Sequence, residues 1–357
     1  MKYYIIAGEA SGDLHASELM RALRVKDPAC DIRFRGSDAD TAVMGAVEVL
    51  GQARWIRARF SACRRELLDW RPDVVILVDY PGFNLRMARF AKAHGLRVAW
   101  YIAPKVWAHK AWRVKAIRRD VAALYCIFPF EPAWFRAHGV EPHYFGNPLV
   151  DSISREQFRP VGEGKSIALL AGSRAMELKF LLPRFRALEQ LLDADPRLAG
   201  YRLVLAGAPS LPESQYRALL PDSSRIELVF GRTRDILHQA EAAVVCSGTA
   251  SLEAALIGTP QVVSYGLHPL TWAIAKCVVK VPYASLVNLS LGRAAVPELL
   301  QRDASPARMK QALERLLLDS SCRTQMAADY EELKQVLGGA GATARTANDI
   351  YETFARI

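Results

Sequence analysis

Cysteine is scarce and scattered in this chain of 357 residues, and its six cysteines include no C-x-x-C pair. Cys126 and Cys246 lie inside apolar runs that are typical of buried strands. This usage argues against a structural zinc site and favours a reducing cytoplasm. The histidines likewise lack metal-ligand spacing, so the sequence predicts no metal site.

Long apolar runs are also missing, and no stretch approaches the roughly 18 residues of a membrane-spanning helix. The start of the chain does not have the pattern of a signal peptide, because Ile5-Ile6-Ala7 runs straight into a small-residue turn. Acidic residues are fewer than basic ones, and the net charge is +10. That balance predicts an anionic partner: a nucleic acid, a phosphorylated substrate or an acidic lipid surface.

Apolar runs alternate with segments of helical periodicity, which predicts parallel sheets with helices on both faces. The predicted strands are Tyr3–Ala7, Val74–Val78, Arg97–Ile102, Ala123–Ile127, Ser166–Leu170, Arg202–Ala206, Ile226–Phe230, Ala242–Cys246 and Gln261–Ser264. The rhythm breaks at Gly146-Asn147-Pro148 and the polar stretch after it. We therefore predict an α/β fold with two Rossmann-like, doubly wound domains facing a cleft. Their ranges are 1–150 and 166–340, and a last helix within 341–357 packs on the first domain.

One small-residue turn follows a predicted strand in each half of the chain. These turns are Gly8-Glu9-Ala10-Ser11-Gly12-Asp13 and Ser247-Gly248-Thr249-Ala250-Ser251-Leu252-Glu253. Open α/β sheets bind ligands at such places, and the N–H groups of a helix N-terminus attract a diphosphate. Glu253 lies one turn into its helix, where a carboxylate can bridge the hydroxyls of a ribose. The alternative is an ordinary strand-to-helix turn with an N-cap, and Ser11 is the candidate cap in the first turn.

Two charged residues stand close behind predicted strands. Asp79 ends the run Val74–Val78 and precedes a Pro-Gly turn, a position suited to a general base. Capping of that turn is the alternative. Arg174 follows Gly172-Ser173, and its guanidinium matches the oxygens of a diphosphate. Here the alternative is a solvated loop, with a solvated helix start at Glu177.

Taken together, these motifs resemble lipid-A-disaccharide synthase, a family of inverting glycosyltransferases of the GT-B type. The matching segments lie in order across nearly the whole chain: 8–13, 42–50, 79–84, 104–108, 128–131, 172–174, 247–253 and 285–289. The segment Arg35–Thr41 is shorter than the family's, and Asn147 and Val287 replace a frequent histidine and a common proline.

The resemblance implies transfer of 2,3-diacylglucosamine from UDP to the 6-hydroxyl of 2,3-diacylglucosamine 1-phosphate. The products would be a β-1,6 disaccharide 1-phosphate and UDP, formed without a metal or other cofactor. Asp79 would be the base, and Arg174 would stabilise the departing diphosphate. The implied donor side comprises Gly172, Ser173, Ser247, Gly248, Thr249, Glu253 and Asn288, and the implied acceptor side comprises Gly8, Glu9, Ser11, Gly12, Asp13 and Asn84.

Two basic and apolar stretches, 43–60 and 104–119, suit docking on a lipid surface. Core packing is the alternative for the first stretch, and an amphipathic surface helix is the alternative for the second. Their predicted membrane-facing residues are Val43, Met44, Val47, Leu50, Trp107 and Trp112. The resemblance implies a cytoplasmic enzyme, peripheral on the cytoplasmic face of the inner membrane, and it allows a homodimer.

Two competing functions stay open at this point. One is another GT-B enzyme that acts on a UDP-sugar, such as a lipid-linked N-acetylglucosaminyltransferase or a UDP-sugar 2-epimerase. The other is a nucleic-acid-binding protein that uses the tryptophan-containing basic stretch 104–119. Basic residues are spread over both halves and no known nucleic-acid module is present, so we expect no nucleic-acid partner.

Overall fold

A computed structural model of the chain describes residues 1–8, 10–36, 48–108, 110–268, 271–273 and 281–355, without the side chains of residues 10 and 48–56. The chain divides into two compact units. The N-terminal unit comprises Met1–Asp151 and Leu337–Ile357, and the C-terminal unit comprises Ser152–Val336. Each unit contains one parallel six-stranded sheet flanked by helices, which confirms the predicted α/β class.

The strands of the N-terminal unit lie in the order β2-β1-β3-β4-β5-β6. Their bounds are β1 (Lys2–Ile6), β2 (Asp31–Arg35), β3 (Val74–Val78), β4 (Val98–Tyr101), β5 (Ala123–Cys126) and β6 (His143–Tyr144). The helices are α1 (Ala10–Lys26), α2 (Glu48–Trp70), α3 (Pro81–Ala93), α4 (Val114–Asp120), α5 (Glu131–Ala137), α6 (Pro148–Ser154), which crosses into the next unit, and α14 (Ala342–Ala355).

The strands of the C-terminal unit lie in the order β12-β11-β10-β7-β8-β9. Their bounds are β7 (Ser166–Leu170), β8 (Arg202–Gly207), β9 (Glu227–Phe230), β10 (Ala242–Cys246), β11 (Gln261–Tyr265) and β12 (Glu298–Leu300). The helices are α7 (Ala175–Asp193), α8 (Glu213–Arg217), α9 (Thr233–Gln239), α10 (Thr249–Ile257), α11 (Leu286–Leu291), α12 (Pro306–Leu318) and α13 (Ser320–Val336).

Central strands have continuous apolar sequences because both of their faces are covered. Every residue of β3, β7 and β10 is buried. The apolar runs do not predict β2, β6 or β12, and all three lie at the edge of a sheet. In β2, with the sequence DIRFR, every residue is at least partly exposed. An edge strand is partly solvated and needs no continuous apolar run.

The last helix, α14, packs against α1 within the N-terminal unit. Tyr125 donates a hydrogen bond to Asp349 Oδ2 at 2.8 Å, and Arg97 donates to the carbonyl of Thr353 at 3.0 Å. At the start of the helix, the buried Asp151 carboxylate accepts the N–H groups of Gly341, Ala342 and Thr343. The side chain of Asp151 thus caps a helix that begins 191 positions later in the chain.

We predict that Asp151→Ala lowers the free energy of unfolding by about 2 kcal/mol, because it leaves N–H groups of the first turn of α14 without an acceptor. Urea unfolding followed by circular dichroism measures the change. Glu352→Gln is the matched control on the same helix, since it removes an exposed ion pair to Lys26 at 3.6 Å and keeps an oxygen that can accept from Asn348 Nδ2. Equal stabilities of the two variants would contradict the capping role.

Candidate functional site

Two turns meet at one edge of the N-terminal sheet, because β1 and β3 are neighbouring parallel strands. Gly8 follows β1, and Asp79 follows β3. Asp79 is half-buried, and Tyr80 separates it from α3, which has Pro81 at its first position. Asp79 and Tyr80 both adopt the left-handed backbone region, at φ 43° and 48°. Two such residues in succession, neither of them glycine, mark a strained turn of the kind found at functional sites.

The predicted acceptor-side residue Asn84 lies beneath this turn and is fully buried. Its Nδ2 donates to the carbonyls of Val78 at 3.2 Å and Asp79 at 2.8 Å. Its own N–H donates to the carbonyl of Tyr80 at 3.0 Å. The structure therefore places Asn84 as a support of the Asp79 turn.

The turn after β1 is followed by α1, which begins at Ala10 and therefore includes Ser11. The prediction that Ser11 is the N-cap is wrong, because the helix begins earlier; Ser11 is an exposed residue of its first turn. Gly12 is buried and Asp13 is half-buried, whereas Glu9 lies outside the described residues.

Arg59 on α2 contributes to the same edge, although it belongs to a stretch that the sequence assigns to a membrane surface. Its guanidinium is buried and donates to the carbonyls of Ala7, at 3.1 Å, and Gly36. It also lies over the ring of Phe83, 5.8 Å from the centroid. Core packing is thus the correct interpretation at Arg59, which holds the backbone that follows β1 and β2.

Trp107 is anchored to a buried carboxylate. Its indole N–H donates to Glu131 Oε1 at 2.9 Å, while Glu131 Oε2 accepts the N–H groups of Ile127 at 2.9 Å and Phe128 at 3.0 Å. Burial raises the pKa of Glu131 to about 7, although the hydrogen bond from Trp107 and those from the backbone oppose the rise. Glu131 thereby ties the segment after β4 to the turn after β5.

The other predicted membrane-facing residues fall into two groups. Trp112 is 69% exposed. Val43, Met44 and Val47 lie outside the described residues, and Leu50 belongs to α2 with its side chain outside them. Among the helices that the structure describes, none has the length and apolar character needed to cross a membrane.

In the C-terminal unit, the turn after β7 is built around Glu177. Its Oε2 accepts the N–H groups of Ser173 at 3.0 Å and Arg174 at 3.2 Å, and its Oε1 pairs with the Arg174 guanidinium at 3.3 Å. Gly172 has a φ of +92°, and a Cβ atom there would lie 2.8 Å from the Glu177 Cβ, so this position favours glycine. Glu177 is buried, and its interpretation as a solvated helix start is wrong. The side chain of Arg174 is 72% exposed at the edge of the sheet.

The turn after β10, the neighbour of β7, presents the start of α10 at the same edge. Gly248 is the N-cap, and no side chain of the described residues caps this helix. Thr249 is exposed, and the Ser247 hydroxyl donates to the carbonyl of Ala284 at 2.7 Å. The first N–H groups of α10 are therefore suited to an anionic group.

Glu253 on α10 has a partner that the sequence does not indicate. Arg234 on α9 donates to Glu253 Oε1 at 3.0 Å, to Glu156 Oε2 at 2.6 Å and to the Ser152 hydroxyl at 2.8 Å. Glu253 is half-buried, so one oxygen is held by Arg234 while the carboxylate keeps access to solvent. This ion pair fixes the orientation of the residue.

Asn288 is 1% exposed and uses its side-chain amide inside the unit. Nδ2 donates to the Val296 carbonyl and Glu298 Oε1, while Oδ1 accepts the N–H groups of Ala295 and Val296. These four hydrogen bonds saturate an amide. A donor-side contribution of Asn288 would therefore be indirect, through the loop that it holds.

Two parallel six-stranded sheets with flanking helices give the chain a GT-B-like α/β architecture. The S. aureus MnaA–UDP co-structure is similar with a TM-score of 0.71 at 14% identity, covering 100% of this chain and 97% of that one. The calicheamicin glycosyltransferase CalG4 is similar with a TM-score of 0.60 at 18% identity, covering 100% and 98%. At such identities the similarity shows the fold alone.

The sequence defines the family. The family model for lipid-A-disaccharide synthetase matches residues 3–347. A lipid-A-disaccharide synthase of Myxococcus xanthus (strain DK1622) is 36% identical over 376 residues, covering 98% of this chain and 96% of the relative. The chain belongs to the lipid-A-disaccharide synthetase family and is a glycosyltransferase.

We predict that Glu131 makes stability depend on pH. Its pKa is about 7 in the folded chain and 4.5 ordinarily, so between these values the folded protein binds a proton that the unfolded chain releases. The stabilisation is complete below pH 4.5 and is lost as the pH rises towards 7, a fall of about 3 kcal/mol.

Urea unfolding at a series of pH values, compared with Glu131→Gln, measures this contribution. The difference between the two proteins should change across that window and be flat above it. Glu141→Gln is the control, since Glu141 is an exposed partner of Arg136. A difference that stays constant from pH 4 to pH 8 would show that Glu131 keeps its ordinary pKa.

Proposed function

We propose that the chain transfers 2,3-diacylglucosamine from UDP to the 6-hydroxyl of 2,3-diacylglucosamine 1-phosphate, releasing UDP and the β-1,6 disaccharide 1-phosphate. The observation that carries the proposal is a family match over residues 3–347 in a chain that holds a carboxylate on a strained turn at the end of β3. In this proposal the N-terminal unit binds the acceptor and the C-terminal unit binds the donor.

Asp79 is the base in this reaction. Its carboxylate accepts the proton of the 6-hydroxyl as that oxygen forms a bond to the anomeric carbon of the donor. The bond from the anomeric carbon to the phosphate oxygen breaks on the opposite face, and UDP leaves with the electron pair. The configuration is therefore inverted. Gly8, Glu9, Ser11, Gly12 and Asp13 belong to the acceptor side of the site.

The departing diphosphate gains negative charge, and the C-terminal unit offers two means of stabilising it. Arg174 extends an exposed guanidinium from the start of α7, and α10 begins with N–H groups that no described side chain caps. Both are in place before the charge develops, which is the condition for effective electrostatic stabilisation. Neither requires a metal ion.

Glu253 is proposed to bind the ribose hydroxyls of UDP. Its pairing with Arg234 at 3.0 Å leaves a carboxylate oxygen for a hydroxyl and holds the side chain in one orientation. The S. aureus co-structure of the same fold contains UDP. Gly172, Ser173, Ser247, Gly248 and Thr249 provide backbone and hydroxyl groups on the same side.

Both substrates carry acyl chains, so we also propose that the enzyme works while bound to the cytoplasmic face of a membrane. The exposed indole of Trp112 supports this, because tryptophan favours the membrane interface. Basic residues attract acidic lipids, and the chain has a net charge of +10. A homodimer is compatible with this arrangement.

We predict that the purified chain, with both substrates in detergent, forms disaccharide and UDP, and that Asp79→Asn lowers kcat by about 1,000-fold. The variant keeps the size and shape of the side chain but cannot accept the proton. Arg174→Ala should lower kcat by about 100-fold, because one charge partner of the diphosphate is lost. Mass spectrometry of the lipid product measures both rates.

The matched control is Asp69→Asn, an exposed carboxylate on the helix that precedes β3. It should keep full activity. Activity retained in Asp79→Asn would remove Asp79 from the role of base and leave the reaction standing. A folded protein that binds UDP but forms no disaccharide would favour another reaction of a UDP-sugar, such as epimerisation.

A further inference from the structure

The ring of Tyr80 lies between the two turns that meet at the edge of the N-terminal sheet. We propose that this ring, by packing between the two turns, positions the Asp79 carboxylate for proton transfer. The inference rests on the proposed function of Asp79 as the base. Tyr80 itself is assigned no contact with a substrate and no part in the proton transfer.

The backbone of the turn is strained at two successive residues. Asp79 and Tyr80 have φ values of 43° and 48°, and Tyr80 has a ψ of 57°. This backbone conformation is strained for residues other than glycine, so contacts with surrounding residues must hold Asp79 and Tyr80 in it. Asn84 supplies two of these contacts through hydrogen bonds to the carbonyls of Val78 and Asp79. Together with the bond from the Asn84 N–H to the Tyr80 carbonyl, these bonds fix the backbone of the turn, but none of them holds the side chain of Tyr80.

The ring of Tyr80 is in close contact with Gly8. A Cβ atom built on Gly8 would lie 2.2 Å from Cγ and from Cδ1 of the Tyr80 ring and 2.7 Å from Cδ2. No real side-chain carbon could occupy that position. The Tyr80 ring therefore fills the space above the backbone of Gly8, and it ties the turn after β3 to the turn after β1.

Two further aromatic rings support the Tyr80 ring from behind. Tyr80 stacks on Phe83 with a centroid separation of 5.7 Å, and Phe83 stacks on Phe60 at 4.1 Å. Phe83 is 3% exposed, so this support belongs to the core. The Tyr80 ring thus contacts both Gly8 and a fixed aromatic row, which restrains the left-handed turn that carries Asp79.

The contact between Tyr80 and Gly8 restricts the side chains that positions 8 and 80 can carry. The contact needs an aromatic ring at position 80 and no side chain at position 8, whereas the hydroxyl of Tyr80 is not required. A shift of about 1 Å in a reacting group can lower a rate about 100-fold, so loss of the Tyr80 ring should lower kcat. The affinity for the UDP donor should be spared, because the donor is assigned to the other unit.

The test is a double-mutant cycle in the full chain with Gly8→Ala, Tyr80→Ala and the two combined. Tyr80→Phe is the conservative variant, and Gly82→Ala is the matched control. Gly82 lies in the same turn region, and a Cβ atom there would meet nothing within 4 Å. The readouts are kcat, the KM for the UDP donor, and urea unfolding followed by circular dichroism as a check on the folding of both units.

We expect Gly8→Ala and Tyr80→Ala each to lower kcat by about 100-fold with the donor KM changed less than about twofold. The combined variant should lose about as much as Tyr80→Ala alone, because the added methyl group then meets no ring. Tyr80→Phe and Gly82→Ala should stay within about threefold of the unaltered enzyme.

If the reduction in kcat of the combined variant equals the product of the two single reductions, the positioning role is overturned while the proposed function stands. A loss in Tyr80→Phe as large as in Tyr80→Ala would overturn it too, since the hydroxyl would then be the essential group. If the unaltered protein forms no disaccharide, the proposed function fails and the positioning role falls with it.

Discussion

The left-handed turn at Asp79 and Tyr80 is the constraint on which the site of the N-terminal unit depends. Every residue of β3 is buried, so the strand can carry a charged group only where it ends. Parallel pairing with β1 and β4 brings that end to the edge where the neighbouring turns also lie. Asn84 then fixes the turn by hydrogen bonds to two carbonyls, so the position of the carboxylate follows from the buried sheet beneath it.

In the C-terminal unit, two carboxylates near the candidate ligand turns are held in place by paired charges. Glu177 lies beneath the turn after β7 and is satisfied by backbone N–H groups and by Arg174. Glu253 is held by Arg234, which also binds Glu156. Carboxylates taken partly out of water need such partners, and the partners in turn fix their orientation. At the start of α10 no described side chain caps the helix, so its first N–H groups are suited to an external anion.

Much of this arrangement could be predicted from the sequence, and the same physical reasons explain why the rest could not. Central strands such as β3 and β10 have continuous apolar runs, so the turns behind them could be located along with Asp79 and Arg174. The edge strand β2 could not be predicted in this way because its side chains are partly solvated. Partnerships such as Arg59 with Ala7, 52 residues apart, depend on tertiary packing and have no local signature. The reaction itself came from a resemblance to a family and not from periodicity or charge.

The most direct test of the account is an experimental structure of Asp79→Asn with UDP and 2,3-diacylglucosamine 1-phosphate bound. The account predicts the acceptor 6-hydroxyl within about 3 Å of the side chain at position 79. It also predicts the diphosphate beside Arg174 and the first N–H groups of α10. An acceptor hydroxyl far from position 79, with another carboxylate or histidine beside it, would contradict the central claim that the turn after β3 carries the base.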